Sequence, residues 1–266
     1  SPDHIERHGS FEKYREAKAR LFQASRMCHV LNADDQYAQE FLRIPSKKKY
    51  LFSKNALEAS LFSLVPAEYI QASEYGSSFS VQGCQFHLKL PGVFNVMNAL
   101  AAICAGLSQG ISLETCKKAL ESIERIPGRM EQVVASPFRV FVDYAFTPAA
   151  LEKVYETVRP SAKQLICVLG SAGGGRDKWK RPVLGKIAAQ FCDTVIVTNE
   201  DPYNEDPEKI MEEVMQGAGP KAQKIQDRRQ AIRKALLFAK EGDVVMITGK
   251  VSEDSIAQKD KKIPWD

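Results

Sequence analysis

Apolar positions follow two different rhythms along this chain. From about residue 138 onward, short runs of β-branched and aromatic residues alternate with amphipathic stretches. The runs predict strands at 138–144, 164–169, 194–198, 223–226 and 243–248, the last being the final element. The stretches between them predict helices at 148–158, 181–191, one opened by Asp206 and Pro207, and 228–240, where Asp227 and Gln230 have capping-box-like spacing. A repeated strand-then-helix order predicts an α/β fold with a mostly parallel sheet and right-handed crossovers. The pivotal stretch is Phe138 to Tyr144, almost unbroken apolar residues with one Arg near its start and Asp143 near its end. Thr147 then suits a helix N-cap, and Pro148 the first helical position, where a missing N–H costs nothing. Doubly wound sheets bind ligands at the carboxyl ends of their strands, which puts Asp143 at the ligand edge.

The first half is less regular. Ser10 caps a helix over 10–23, with Phe11, Tyr14, Ala17, Leu21 and Phe22 at helical spacing. A short strand at 30–35 ends in a turn, and an amphipathic segment runs through Phe41. Short strands follow at 49–53, 68–73, 77–82 and 84–90, the alternation of the later ones favouring antiparallel hairpins. Gly92 precedes a long apolar helix over 94–107 that carries Asn95 and Asn98 one turn apart, and Ser112 caps a helix ending near Glu124. Pro-Gly in Ile126-Pro-Gly-Arg129 breaks both helix and strand, so the domains are expected at 1–127 and 128–266.

Composition narrows the class without naming a ligand. The 266 residues are 44 % hydrophobic and 26 % charged, ordinary for a soluble globular protein. A net charge of +4 is too balanced for a nucleic-acid or membrane-surface protein, and Lys47-Lys-Lys49 reads as a solvated loop. No apolar run approaches the roughly 20 residues of a membrane span. Six scattered cysteines with no CxxC pair read as buried free thiols of a reducing cytoplasm. The chain lacks an initiator Met and a signal peptide, and Ser1-Pro-Asp-His4 looks like the tail of a strand and loop, so a piece of a longer chain is expected.

The chemistry begins with Gly170-Ser-Ala-Gly-Gly-Gly175-Arg-Asp-Lys178, set between a predicted strand and helix. Glycines there let backbone N–H groups approach an anion, although a tight turn explains them equally well, and the run is neither a Walker A loop nor GxGxxG. The neighbouring Arg176, Asp177, Lys178, Lys180 and Arg181 favour a phosphate or carboxylate site. His4 and His8 sit four residues apart, a spacing that suits a surface pair more often than a metal site. Lys18 is most simply a solvated lysine. Asn95 and Asn98 need hydrogen-bond partners inside an apolar helix, which an adenine edge or backbone carbonyls would supply.

Ser1-Pro-Asp-His4, Glu16-Ala-Lys18, Asn32-Ala-Asp-Asp35, Phe94-Asn-Val-Met-Asn98, Gly128-Arg129-Met-Glu, Asp143-Tyr-Ala-Phe146-Thr-Pro, Gly173-Gly-Gly-Arg-Asp-Lys-Trp-Lys-Arg-Pro182 and Thr248-Gly-Lys250 occur in one order. That order resembles the Mur ligases, essentially end to end, and most of all the branch that adds the third residue of the peptidoglycan stem peptide. The resemblance implies part of a central ATPase domain followed by a Rossmann-like C-terminal domain. It implies an ATP-dependent amide ligase that phosphorylates a carboxylate of UDP-N-acetylmuramoyl-L-Ala-D-Glu and passes the acyl phosphate to an amino acid. ATP and Mg2+ would be the cofactors, and the enzyme a cytoplasmic monomer. By resemblance His4 is a magnesium ligand and Lys18 a lysine that becomes carbamylated to hold a second metal. Asn95 and Asn98 face adenine, Arg129 holds ATP phosphate and Asp143 the ribose. Arg176, Glu200, Asp201, Gly249 and Glu253 line the amino-acid pocket.

Three departures matter. Phe146 stands in the nucleotide-binding motif where family members carry His. Val251 stands where the usual Gly-Lys-Gly has its second glycine, a place for positive φ that implies strain or a changed loop. Tyr203 stands where diaminopimelate-adding members carry Arg, so that Glu200, Asp201 and Glu253 together favour lysine or ornithine. The N-terminal uridine-binding domain and the Walker A loop are not in the sequence, so this chain is not expected to turn over alone. A folylpolyglutamate-synthase-like or poly-amino-acid ligase, and a non-catalytic nucleotide- or amino-acid-binding protein, are the alternatives.

Overall fold

The computed structural model describes residues 5–55, 62–251 and 253–265. It contains two compact units, Ser10–Arg125 and Ile126–Asp266, the latter joined by Ser1–Gly9. A short helix, α1 (Ile5–His8), therefore goes with the second unit.

In the first unit Ser10 accepts the Lys13 N–H at 3.2 Å and opens α2 (Phe11–Ala24) as its capping chemistry requires. β1 (Cys28–Asn32), α3 (Ala38–Leu42), β2 (Lys48–Ser53) and β3 (Ser63–Pro66) follow, and the three strands pair in parallel. The strand expected at 49–53 is β2, and its pairing is parallel. The sequence reading has no counterpart for β3, four residues ending in Pro and too short to show a period. The hairpins are real further on, where β4 (Glu68–Ser73), β5 (Gly76–Val81) and β6 (Cys84–Leu88) form an antiparallel sheet. Helix α4 (Val93–Ser108) packs against both sheets, and α5 (Leu113–Ser122) beside it. Val96, Leu100, Ile103 and Cys104 of α4 meet Phe79 and Phe86, whose rings stack 5.0 Å apart. Leu31, Leu42 and Leu51 form a second core with Phe22 and Phe41 from α2 and α3. Apolar helix faces cover the sheets because strands this short cannot hide their apolar sides alone.

The second unit follows the predicted alternation: β8 (Arg139–Asp143), α6 (Pro148–Val158), β9 (Leu165–Leu169), α7 (Lys180–Phe191), β10 (Thr194–Val197), α8 (Pro207–Ala218), β11 (Ala222–Lys224), α9 (Arg228–Phe238) and β12 (Val244–Thr248). One strand, β7 (Glu131–Val134), precedes them and runs antiparallel along the edge, giving the order β11-β10-β9-β12-β8-β7. Its mostly exposed side chains carry no alternation to betray it. All five residues of β9 and of β12 are buried, so the sheet needs cover on both faces. Val140, Ile166, Ile196 and Val245 meet Ala231 and Ala235 of α9 on one face. Buried residues of α6, α7 and α8, among them Leu151, Leu184 and Met211, belong to the opposite face.

The chain does not end at β12. β13 (Ser255–Gln258) and β14 (Lys261–Pro264) form an antiparallel hairpin from what reads as a polar, Lys-rich tail. The hairpin was invisible because its pairing is backbone work and β14 is fully exposed. No helix among the described residues is long and apolar enough to cross a membrane, and all six cysteines are free.

Candidate functional site

β8 delivers Asp143 to the carboxyl edge of the large sheet, where the carboxylate is buried. One oxygen accepts the Met130 N–H and the other the Ala145 N–H, each at 2.7 Å. Burial raises its pKa, and those two bonds with Arg129 nearby pull back only part of the rise. Asp143 is thus a staple between the strand end and the Gly128-Arg129-Met130-Glu131 turn. That turn is also held by Tyr144 N–H to Gly128 O at 2.9 Å and by Gly128 N–H to Glu131 at 2.9 Å. Arg129 lies over the Tyr144 ring, 4.8 Å from its centroid.

Beside the staple opens a cleft of about 740 Å³, lined by Tyr144, Phe146, Arg176, Lys180, Glu200, Asp201, Tyr203, Lys250, Glu253 and Lys262 among others. It brings together Phe146 and five of the residues assigned to the amino acid, and the sixth, Gly249, forms part of the floor beneath Glu200. Gly249 has φ +97, and a Cβ there would lie 2.4 Å from Glu200 Oε2. Glu200 is buried, and its Oε2 has no hydrogen-bond partner among the described residues. Burial pushes its pKa up, with Arg228, Lys180 and Lys250 pulling it down and Asp201 opposing them.

Asp201 is differently placed. Lys250 meets both its oxygens at 2.9 and 3.1 Å, and the Ala257 N–H adds a bond at 2.7 Å. Lys250 is also 3.8 Å from Glu253, whose pKa is lowered: burial alone would raise it, and the Tyr144 hydroxyl and Lys250 outweigh that. Burial and the Glu253 carboxylate push Tyr144 up to about 12. The three carboxylates therefore do not act as one negative patch. Asp201 and Glu253 share Lys250, whereas Glu200 has no direct partner among the described residues.

Tyr203, at φ +51, is zipped to the hairpin by its N–H to Ala257 O at 3.0 Å and by Lys259 N–H to its carbonyl at 2.7 Å. The Arg176 guanidinium lies 5.2 Å from its ring centroid. Phe146 stands edge-on to Tyr144, with the Lys180 ammonium 5.0 Å from its ring centroid. Val251, where positive φ seemed needed, is not among the residues in that region, so the expected strain is not there.

The remaining predicted residues lie elsewhere. Asn95, buried on α4, donates to Pro91 O at 2.8 Å and accepts from the exposed Asn98 at 3.1 Å. Lys18 is exposed on α2, its ammonium 5.5 Å from the centre of the Tyr14 ring. His4 lies outside the described residues, and among those described no cluster of His, Cys, Asp or Glu is arranged to hold a metal. Sequence reasoning missed Lys250 and Lys262 as cleft residues, and Arg228 behind it. Only Lys250 stood in a quoted motif. Nothing in the local pattern marks Arg228, which reaches the site through the fold.

A mostly parallel sheet with helices on both faces and a charged cleft at its carboxyl edge defines the ligand-binding, doubly wound class of α/β domain. The chain belongs to the Mur ligase family: residues 1–106 match the Mur ligase middle domain and residues 128–251 the Mur ligase glutamate ligase domain. It is 40 % identical over 291 residues to a UDP-N-acetylmuramyl-tripeptide synthetase of Roseiflexus sp., covering 99 % of this chain and 56 % of that protein. It is also 40 % identical over 274 residues to a UDP-N-acetylmuramoyl-L-alanyl-D-glutamate--2,6-diaminopimelate ligase of Synechocystis sp., covering 99 % and 54 %. A solved structure of a ligase of that second name is 33 % identical with a TM-score of 0.56, covering 97 % of this chain and 55 % of the other. The chain spans about half the length of the curated relatives it matches.

Proposed function

We propose that this chain carries the amino-acid site and part of the ATP site of an ATP-dependent amide ligase of peptidoglycan precursor synthesis. The ligase adds a diamino acid to UDP-N-acetylmuramoyl-L-Ala-D-Glu. The observation that carries this reading is Glu200, a buried carboxylate whose Oε2 has no partner among the described residues, in a cleft where Lys250 matches Asp201 and Glu253. Such a group is costly unless a cation completes it, and a side-chain ammonium does so.

In the reaction the γ-phosphoryl group of ATP passes to a substrate carboxylate, and the incoming amine attacks that carbonyl. The C–O bond to phosphate breaks as the amide C–N bond forms, and the amine loses a proton. Arg129, spread over Tyr144, supplies a cation to phosphate. Asn98 presents its amide to adenine while Asn95, tied to Pro91 O, fixes its orientation. Asp143 serves the ribose only indirectly, by shaping the turn that carries Arg129. The reading of His4 and Lys18 as Mg2+ ligands rests on the resemblance alone, His4 lying outside the described residues. A cytoplasmic monomer, where ATP is available, goes with this reading.

The sequence reading favours lysine or ornithine because Tyr203 offers no charge to a distal carboxylate and Glu200, Asp201 and Glu253 would repel one. Lys250 removes most of that repulsion, and Arg176 and Lys262 line the same cleft. The relatives named as diaminopimelate ligases then favour diaminopimelate. The test is calorimetric titration of the chain with meso-diaminopimelate, L-lysine and L-alanine. Both diamino acids should bind, diaminopimelate the more tightly, with alanine undetected and Glu200→Gln at least tenfold weaker. Equal binding of alanine, or indifference to Glu200→Gln, would overturn the reading.

A further inference from the structure

Arg228 is the first residue of α9, behind the cleft, and is buried. One terminal nitrogen donates to Thr248 O at 2.6 Å and the other to Asn199 O at 3.4 Å, while Nε has no partner among the described residues. These two carbonyls directly precede Gly249 and Glu200 in sequence. The guanidinium thus grips both backbone segments that form the Glu200 niche, yet makes no ion pair among the described residues. Carbonyls accept its protons without cancelling its charge. Glu200 lies nearby, equally buried and without a direct salt bridge. The fold thus sets the guanidinium within electrostatic reach of the Glu200 carboxyl, while Oε2 stays open among the described residues.

We propose that Arg228 is a positioning residue for amino-acid recognition: it keeps Glu200 ionised without occupying the oxygen that receives the side-chain ammonium of the incoming diamino acid. The inference rests on the amino-acid site proposed above and adds how its buried carboxylate remains charged. A lysine contacting Glu200 directly would occupy that oxygen and compete with the ligand. A guanidinium anchored on carbonyls does not. Titratable groups from every side face Glu200: Lys180 from α7, Lys250 after β12, Asp201 from its own loop, the neutral Tyr144 phenol after β8, and Arg228. Among the cations, Arg228 contributes most to holding the carboxyl down against the cost of burial.

The experiment follows the Glu200 side-chain carboxyl by carbon-13 NMR in ligand-free chain, with Glu200→Gln for assignment. In Arg228→Met the midpoint should rise by at least one pH unit, about tenfold in the ionisation constant. Arg228→Lys, which keeps the charge, should restore most of it. The acid limb of diaminopimelate affinity should move with the same midpoint. A folded Arg228→Met chain with an unchanged Glu200 midpoint overturns the proposal, as does Arg228→Lys behaving like Arg228→Met, the mark of a merely structural anchor. If no diamino acid binds the wild-type chain, the amino-acid reading fails while the titration still decides what Arg228 does.

Discussion

Gly249 shows how little room the site leaves at the scale of one residue. Its φ of +97 disfavours any L side chain, and an added Cβ would strike Glu200 Oε2 at 2.4 Å. Gly249→Ala should therefore lower stability by about 1–3 kcal/mol, the range for strained backbone, and weaken diamino-acid binding by displacing Glu200. Denaturant midpoints and calorimetric titration measure the two effects separately. Glu205 offers a pH test. Burial would raise its pKa, but hydrogen bonds from Arg181 and Lys178 outweigh burial and hold it below the ordinary range. A depressed folded pKa contributes stability that is present above the unfolded value, near pH ~4.3, and is lost as pH falls through the folded one. Glu205→Gln should thus be less stable than wild type at pH 7 and lose less on acidification, which urea midpoints across pH will show. At this scale the sequence pointed to Glu200 and Glu253 but could not show that Lys250 had claimed the charge beside them.

Elements add constraints that single residues do not reveal. Helices α7 and α8 pack so closely that a Cβ at Gly185 would sit 2.0 Å from Val214 O. Alanine is the better helix former by about 1 kcal/mol. Overpacking against backbone costs about 1–3 kcal/mol. Collision should win, so Gly185→Ala lowers the melting temperature, which calorimetry reads directly. The C-terminal hairpin is a second case. It is held to the cleft through Lys250, Asp201 and the Ala257 N–H. Lys250→Met strands Asp201, 13 % exposed at its side chain, without its cation. Breaking a buried pair in this way costs about 3–5 kcal/mol. Amide exchange should rise throughout β13, whereas unchanged protection would mean the hairpin is held by its backbone bonds alone.

For the whole molecule, the second unit carries a complete six-stranded sheet with helices on both faces. Residues 126–266 should therefore fold as an independent polypeptide with one cooperative transition. A molten, uncooperative transition would show that Ser1–Gly9 is needed. That segment does touch the unit: the Glu6 N–H donates to Asp177 at 2.8 Å and the Glu6 carboxylate accepts the Lys178 N–H at 2.7 Å. The sequence by itself determined the alternation of β8 to β12, the Thr147, Asp206 and Asp227 caps, and the place of Asp143 at the carboxyl edge of the sheet. Those features are local: side-chain period and capping chemistry act within a few residues, and both are written in order along the chain. Only the tertiary structure decided the rest. The pairing of β2 with β3, the edge strand β7 and the exposed hairpin depend on backbone hydrogen bonds that leave no apolar period. The loan of Lys250 to Asp201, and the reach of Arg228 to the carbonyls beside Glu200, join residues far apart in sequence. Their charges balance only after the chain has folded.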